Sequence, residues 1–292
     1  MTPPKLKNIL VMGATGDQGG AVIKYLSKQH GHIILGVSRD PFSEAAKRVE
    51  QTPGVMVVFG DAADARSLFL HGPVDGVFLM LHSATPDELA HTKSIADAAV
   101  KFGAKYIVYS GVDLSGVDRT GIDGFDIKRD AWDYIKTLPI PATYLGPAGF
   151  METLTWPGFA AYTQDWDAAY VHKYVCTDDI GHVAADCLAD PERYAGREIM
   201  LAGDAVSRGD VKAAVEERTG RPLASAGGID HAFARHLFEQ LHKHPFEADP
   251  GALRKEFPYL HDLRSWLQTV DKDKIAPAAA GAGAAAPAGA AK

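Results

Sequence analysis

Short apolar runs alternate with amphipathic stretches through the first half of the chain. In the amphipathic stretches, apolar residues recur at the spacing of one helix face. The runs between them are continuously apolar, as in strands that are covered on both sides. This alternation predicts an α/β fold built on a doubly wound parallel sheet. The predicted strands are residues 9–12, 33–37, 55–59, 74–81, 106–109 and 142–145. The predicted helices are residues 18–28, 43–51, 86–102 and 125–138.

The pattern loosens after Pro147, which indicates a change of architecture. The further predicted elements are strands at residues 171–175 and 198–201 and helices at residues 180–189, 207–217 and 232–243. We therefore predict a first domain over residues 1–150, with returning segments from about 171–201, and a smaller α+β C-terminal lobe over residues 151–275. Residues 276–292 contain Ala, Gly, Pro and one Lys, which cannot bury a core, so we expect a disordered tail.

Three glycines spaced three apart follow the first predicted strand, in the segment NILVMGATGDQGGAVIKYLSKQ. Gly13 permits a tight turn, Gly16 lets the backbone approach a pyrophosphate, and Gly19 lets the following helix pack on the strand. The N–H groups and the dipole of that helix then face the anion. A strand, this turn and a helix in that order indicate a Rossmann domain that binds a dinucleotide. The predicted binding residues of the turn are Gly13, Thr15, Gly16, Asp17, Gln18 and Gly19.

The end of the second predicted strand, IILGVSRDP, indicates which dinucleotide is bound. An NAD-specific site places Asp or Glu here to bind the ribose hydroxyls, whereas this chain has Ser38 and Arg39. Arg39 can pair with a 2′-phosphate, and Ser38 can donate a hydrogen bond to it. We therefore favour NADP, as NADPH, over NAD, although Asp40 would reach the ribose if the strand ended one residue later. Asp61, just beyond the third strand, is predicted to bond the adenine amino group.

The charge balance argues against several classes of partner. Lys and Arg total 30 against 37 Asp and Glu, which gives a net charge of −7, and no basic block suits nucleic acid or an anionic membrane. Hydrophobic residues make up 46% of the chain, enough for a sizeable core, but no apolar run reaches the length of a membrane span. Cys176 and Cys187 indicate reduced thiols, and MTPPKLKN contains no signal-peptide core. We expect a cytoplasmic location, with the nucleus as a further compartment.

Several segments resemble the NmrA-like branch of the atypical short-chain dehydrogenase/reductases. They are GATGDQGG, SRDP, YIVYSG, FDIKRDAWDYI, PATYLGPAGFMETL and TDDIGHVAADCLADPERYAGREIMLAGDAVS, and the resemblance spans about residues 5–270. It implies a Rossmann domain that binds NAD(P) and a small C-terminal lobe that lines the cleft. The family contains reductases that transfer hydride. It also contains regulators that bind the dinucleotide and control a partner protein.

The resemblance also assigns catalytic positions. A short-chain dehydrogenase uses Tyr to transfer a proton, Lys to lower the Tyr pKa and hold the nicotinamide ribose, and Ser to polarise the carbonyl. Ser110 takes the Ser position and Lys128 takes the Lys position. Gly124 stands one helical turn before Lys128, where the Tyr belongs. The proton for a reduction would then come from Lys128, or from water held by Ser110 or His82.

The ends of later strands complete the predicted site. Leu81 and His82 follow the fourth strand, where the cofactor ribose and the substrate are expected. By resemblance, Pro147, Gly149 and Phe150 form the loop beside the carboxamide. Residues that could line an apolar substrate pocket are Met151, Trp156, Phe159, Tyr162 and Trp166. No metal site is predicted, because the paired histidines of LHKHP have no Cys or carboxylate cluster around them.

Two functions of different classes follow. The first is an NADPH-dependent oxidoreductase that transfers hydride to a small apolar carbonyl, imine or activated alkene, and Ser110, Lys128 and the aromatic lobe support it. The second is a non-catalytic regulator that senses NAD(P)H and binds a protein partner, and the absent Tyr supports it. A binding protein that has lost both roles is a third alternative. The expected assembly is a monomer or a weak homodimer.

Overall fold

The structure is a computed structural model that describes residues 7–29, 31–82, 87–156, 166–223 and 231–276. Seven strands form one parallel sheet. The strands of the chain are β1 Lys7–Val11, β2 His32–Ser38, β3 Val55–Phe59, β4 Gly76–Leu79, β5 Tyr106–Ser110, β6 Ala142–Pro147, β7 Gly149–Phe150, β8 Val171–Val175, β9 Glu198–Leu201 and β10 Asp204–Ser207. The order in the large sheet is β3-β2-β1-β4-β5-β6-β9. The predicted α/β, doubly wound Rossmann sheet is confirmed.

Helices flank the strands in the alternation that the sequence predicts. The α-helices are α1 Asp17–Leu26, α2 Glu44–Glu50, α3 Glu88–Lys101, α4 Asp123–Ile135, α5 Thr177–Ala189, α6 Pro191–Tyr194, α7 Arg208–Thr219, α8 His231–Lys243, α9 Pro250–Glu256 and α10 Leu263–Thr269. The 3-10 helices are Ala65–Phe69, Met151–Thr155 and Lys272–Lys274. Within the described residues, no helix is long and apolar enough to cross a membrane.

Strand order and direction determine where a ligand-binding edge lies. β1 pairs in parallel with β2 on one side and with β4 on the other, so the chain winds in opposite directions from β1. In such sheets, the carboxyl ends of the strands around this point form the usual ligand site. Every residue of β4 and β5 is buried, which explains why these strands read as unbroken apolar runs.

The chain divides into two compact units. The first unit comprises Met1–Val112, Ile127–Gly146 and Thr177–Ile199. The second unit comprises Asp113–Asp126, Pro147–Cys176 and Met200–Lys292. Two segments of the predicted first domain, residues 113–126 and 147–150, therefore belong to the second unit.

The second unit contains a sheet of three strands in the order β10-β8-β7. This corrects the place of residues 171–175, which the sequence analysis included among the segments returning to the first domain. β8 pairs instead with β10 in antiparallel fashion and with β7 in parallel. The physical reason is that the inward side chains of β8, such as Tyr174, belong to the core cluster of the second unit together with Trp266 and Leu154.

Some boundaries differ from their predictions. β4 ends at Leu79 rather than at Leu81, so Leu81 and His82 lie in the loop that follows. The pattern of apolar and polar residues does not predict β10, α9 or α10. These elements are short, and α9 and α10 are preceded by the N-cap residues Asp249 and Asp262, whose side chains accept hydrogen bonds from the first turn.

Candidate functional site

The glycine turn of the first unit leaves the start of α1 uncovered. Gly13 adopts a left-handed backbone conformation with φ +64°, and the Gly16 N–H donates to its carbonyl at 2.9 Å. A Cβ on Gly19 would lie 2.2 Å from that same carbonyl oxygen, so no larger residue fits there. Thr15, Gly16 and Asp17 are exposed, and no N-cap side chain accepts a hydrogen bond from the first N–H groups of α1. The turn can therefore offer backbone N–H groups to an anion.

The residues after β2 are arranged around a second local turn. Ser38 is the last residue of β2, and its hydroxyl accepts a hydrogen bond from the Asp40 N–H at 3.1 Å. The Asp40 carboxylate accepts from the Phe42 N–H at 3.0 Å, which occupies one of its oxygens within the turn. Arg39 is exposed between them. This arrangement presents a guanidinium at the end of β2 and ties the neighbouring carboxylate to the backbone.

Asp61 also takes part in a local turn beyond β3. Its carboxylate accepts from the Ala63 N–H at 3.0 Å, and its own N–H donates to the Ser67 hydroxyl at 3.0 Å. Asp61 is half-buried. The predicted contact with adenine would use the other carboxylate oxygen, because the turn engages only Oδ1.

Ser110 ends β5 and contacts the helix of the glycine turn. Its hydroxyl donates to the Gln18 Oε1 at 2.8 Å, and only 1% of Ser110 is exposed. The structure thus brings two predicted site residues together, although the sequence analysis assigned them to different tasks. Because the hydroxyl proton is directed at Gln18, Ser110 does not present a donor to an acceptor carbonyl in this arrangement.

Lys128 lies in the second turn of α4 and is removed from water, at 4% exposure. Its Nζ donates to the Leu81 carbonyl at 2.5 Å and contacts the Glu88 carboxylate in an ion pair. Burial lowers the pKa of the Lys128 ammonium, and the Glu88 carboxylate opposes that change. Burial raises the pKa of the Glu88 carboxyl, and Lys128 opposes it in turn. The structure therefore joins Leu81 and Lys128, and it adds a partner that the sequence analysis missed.

Other tyrosines do not replace the Tyr missing at Gly124. The Tyr134 hydroxyl donates to the exposed Asp97 carboxylate at 2.6 Å, away from Lys128. Tyr109 is fully buried, and its hydroxyl has no hydrogen-bond partner among the described residues. Burial raises the pKa of Tyr109 well above its ordinary value, so this phenol is a poor proton donor. His82 is exposed, and it lies close enough to Glu88 to lower the pKa of that carboxyl.

The remaining predicted residues belong to the second unit. The buried Pro147 accepts a hydrogen bond from the Asp113 N–H at 2.9 Å. Gly149 and Phe150 form β7 against β8, and a Cβ on Gly149 would lie 2.4 Å from the His172 Nε2. Gly149 is thus required by packing, whatever else it does.

The aromatic residues of the second unit form a cluster around His172. The ring of Trp166 lies 5.0 Å from that of His172 and 5.5 Å from that of Phe238. Met151 is buried in the core of the unit and Trp156 is half-buried. Phe159 and Tyr162 lie outside the described residues.

Comparison with known proteins identifies the family. A model of the NmrA-like family matches residues 5–244. The NmrA-like family domain-containing oxidoreductase notA of Aspergillus sp. is 27% identical over 251 residues, which is 72% of this chain and 72% of that protein. The solved structure of NmrA, a negative transcriptional regulator in complex with NAD, covers 91% of this chain and 95% of its own, at 20% identity and a TM-score of 0.74.

A second solved structure has the same fold. Triphenylmethane reductase of Citrobacter sp., complexed with NADP(H), covers 90% of this chain and 99% of its own, at 20% identity and a TM-score of 0.72. At such identity, these structures show a common fold. Because the family model matches most of its length, the chain belongs to the NmrA-like family.

Proposed function

We propose that this chain is an NAD(P)-dependent oxidoreductase that uses NADPH to reduce a small apolar carbonyl, imine or activated alkene. The observation that carries the proposal is the position of Lys128, a buried ammonium held against the Leu81 carbonyl just beyond the end of β4. An ammonium withdrawn from water has lost its hydration, so its contacts with a reacting group are stronger than at the surface. The names of notA, an oxidoreductase, and of the Citrobacter reductase support the same class.

The residues of the first unit fit a nicotinamide dinucleotide. A Cβ on Gly19 would strike the turn, and the uncapped start of α1 offers N–H groups for the pyrophosphate. Arg39 and Ser38 would hold the 2′-phosphate, and Asp61 would reach the adenine. Lys128, with Leu81 and His82, would hold the nicotinamide ribose. Pro147, Gly149 and Phe150 remain predicted partners of the carboxamide.

Bound NADPH supplies the hydride in this proposal. The proton comes from Lys128, because Gly124 has no acid and the Ser110 hydroxyl already donates to Gln18. Ser110 then acts indirectly, by fixing Gln18 at the start of α1. His82, which is exposed, would hold water beside the site.

Turnover of NADPH tests the proposal. The fluorescence of reduced nicotinamide would be followed with a panel of quinones, aldehydes, imines and enones, in the wild type, Lys128→Met and Lys136→Met. Lys136 is an exposed lysine just beyond α4, paired with Asp133, and is the matched control. We expect at least one acceptor to be reduced, and Lys128→Met to slow that reduction by about a hundredfold, the lower range for loss of a general acid.

Three outcomes would contradict the proposed function. If NADPH binds but no acceptor oxidises it, the proposed reduction fails. If Lys136→Met slows turnover as much as Lys128→Met does, the role of Lys128 fails. If neither NADPH nor NADH binds, the dinucleotide site fails as well.

The preference for NADPH is tested at Arg39. A charge-assisted hydrogen bond to phosphate contributes about 1.5–3 kcal/mol, or roughly a 10- to 150-fold change in dissociation constant. We expect Arg39→Ala to weaken NADPH binding by this factor and to leave NADH binding nearly unchanged. Arg48→Ala, at an exposed arginine of α2, is the control. Equal loss for both dinucleotides would assign Arg39 to another part of the cofactor.

A dinucleotide-sensing regulator is the second candidate, and Gly124 is the observation that favours it. With no Tyr to donate a proton, the site could bind NAD(P)H and hold it unreacted. NmrA itself is described as a negative transcriptional regulator. Under this alternative, occupancy of the first unit would change the affinity for a protein partner. Tight NADPH binding without consumption, together with a partner captured only in the presence of the dinucleotide, would support it.

A further inference from the structure

Glu88 and Lys128 form a charge pair in the interior of the first unit. Glu88 is the first residue of α3, where the helix dipole favours a carboxylate. The two side chains are 2% and 5% exposed and are in direct contact. Removing two charges from water is costly, and a buried pair is tolerated only when its geometry and its remaining hydrogen bonds are good. The pair therefore calls for an explanation beyond packing.

The contacts of Lys128 fix the position of its ammonium group. An ammonium has three N–H donors. One donates to the Leu81 carbonyl, and the ammonium contacts the Glu88 carboxylate in an ion pair. Leu81 follows β4, the neighbour of β1 in the sheet, and a Cβ on Gly13 would lie 2.9 Å from the Met80 Cε. The ammonium is thus anchored to the loop that borders the glycine turn.

Among the described residues, no carboxylate other than Glu88 affects the pKa of Lys128. Thr92 and Tyr109 are buried and uncharged, and their hydroxyls have no hydrogen-bond partner in the part of the chain that the structure describes. His82 is exposed, and its electrostatic effect lowers the pKa of Glu88. Of the effects on Lys128, burial lowers its pKa and Glu88 alone opposes it. Without the Glu88 charge, burial would favour the neutral amine.

We infer that Glu88 is a positioning residue that holds Lys128 in its charged form and orients it as the proton donor of the reduction. This inference rests on the proposed function. In the proposed step, the acceptor carbon gains the hydride and the electron pair of its double bond moves to the oxygen or nitrogen. That atom takes a proton from the Lys128 Nζ, which becomes a neutral amine and regains a proton from water. Glu88 remains a carboxylate throughout.

The first test observes Lys128 directly and needs no acceptor. Protein labelled with ¹³C at the lysine Cε would be titrated by NMR, with Lys128→Met used to assign the signal. Wild type would be compared with Glu88→Gln and with Thr92→Val, a buried, uncharged change one turn further along α3. We expect Glu88→Gln to move the Lys128 titration to lower pH and Thr92→Val to leave it in place. An unchanged titration in Glu88→Gln would overturn the inference.

The second test uses the pH profile of single-turnover NADPH oxidation. Glu88→Gln should move the alkaline limb to lower pH and slow the reaction at pH 7 by about a hundredfold, as expected for a lost general acid. Glu88→Asp keeps the charge, so it should retain the wild-type profile at a reduced rate. If Glu88→Gln does not fold, Glu88→Asp still tests the idea, because a displaced alkaline limb in this charge-conserving variant would contradict it.

The two tests separate this inference from the function on which it rests. If none of the acceptors is reduced by wild type and NADPH, the proposed function fails. The titration still shows whether Glu88 sets the charge of Lys128. If wild type turns over and Glu88→Gln keeps both the titration and the pH profile, the positioning role fails and the reductase assignment stands.

Discussion

Gly19 and Gly20 are neighbours at the start of α1, but a side chain would meet different surroundings at each. A Cβ on Gly19 would lie 2.2 Å from the Gly13 carbonyl oxygen and 2.6 Å from that of Met12. A Cβ on Gly20 would lie 3.7 Å from the Ala14 carbonyl, which is an ordinary contact. The spacing of the motif predicts the first requirement. The tolerance of the second position follows only from the structure.

This contrast gives a prediction. We expect Gly19→Ala to lower the free energy of unfolding by about 1–3 kcal/mol, the usual effect of overpacking, and to abolish NADPH binding. Gly20→Ala should be neutral or should raise the free energy of unfolding by up to about 1 kcal/mol, because alanine favours a helix. Urea unfolding and NADPH titration of both variants would check this. Similar losses in the two variants would contradict the packing argument.

Residue identities in the sequence indicate chemistry more reliably than they indicate contacts. The sequence predicts Lys128 as a functional group, and the structure shows this residue withdrawn from water. Its partner Glu88 could not be inferred, because an acid at the start of a helix is equally typical of an exposed first turn. Ser110 was expected to face an acceptor, whereas it donates to Gln18, 92 residues earlier in the chain. Such long-range pairings depend on which strands become neighbours.

At the scale of elements, periodicity predicts the long buried strands and helices better than the short capped ones. β2 and β5 were predicted because both faces of the sheet are covered, which makes the strands continuously apolar. α7 was predicted from Ser207, which forms a reciprocal capping box with Asp210. The sheet that β8 joins could not be predicted, because an apolar strand of five residues can pair within either sheet. The core cluster around Tyr174 decides its place.

Helices that lie far apart in the sequence also pack closely against each other. A Cβ on Gly181 of α5 would lie 2.3 Å from the Ala21 Cβ and 2.7 Å from the Val22 backbone nitrogen of α1. Asp178 of α5 also accepts hydrogen bonds from Lys24 and from the Tyr25 hydroxyl, both at 2.6 Å. The helix that begins at the glycine turn is therefore held by a segment more than 150 residues later.

At the scale of the whole molecule, the pH dependence of stability reflects buried histidines. Burial lowers the pKa of His172 to about 3, among the rings of Trp166, Tyr174 and Phe246. Burial also lowers the pKa values of His32 and His182. At His172, the unfolded chain takes up a proton near pH 6.5, whereas the folded chain takes it up only near pH 3. The contribution of the neutral, buried histidine to the free energy of unfolding is therefore complete above about pH 6.5 and decreases as the pH falls towards 3.

The measurement is urea unfolding between about pH 4.5 and 6.5, a window above most carboxyl titrations. For wild type, we expect His172 alone to lower the free energy of unfolding by up to about 1.4 kcal/mol for each unit by which the pH decreases. His172→Gln should be less stable at pH 7 but should show a shallower pH dependence. An unchanged slope in His172→Gln would show that His172 accepts a proton in the folded state.

The sequence by itself determined the fold class, the dinucleotide turn and the family resemblance, because these follow from local periodicity and from short motifs with one physical explanation. Only the tertiary structure decided which polar groups meet inside the protein. It brought together the Glu88–Lys128 pair, the Ser110–Gln18 hydrogen bond and the contact between Gly149 and His172. These contacts join residues distant in the chain, and their geometry depends on strand order and burial, which local patterns do not encode.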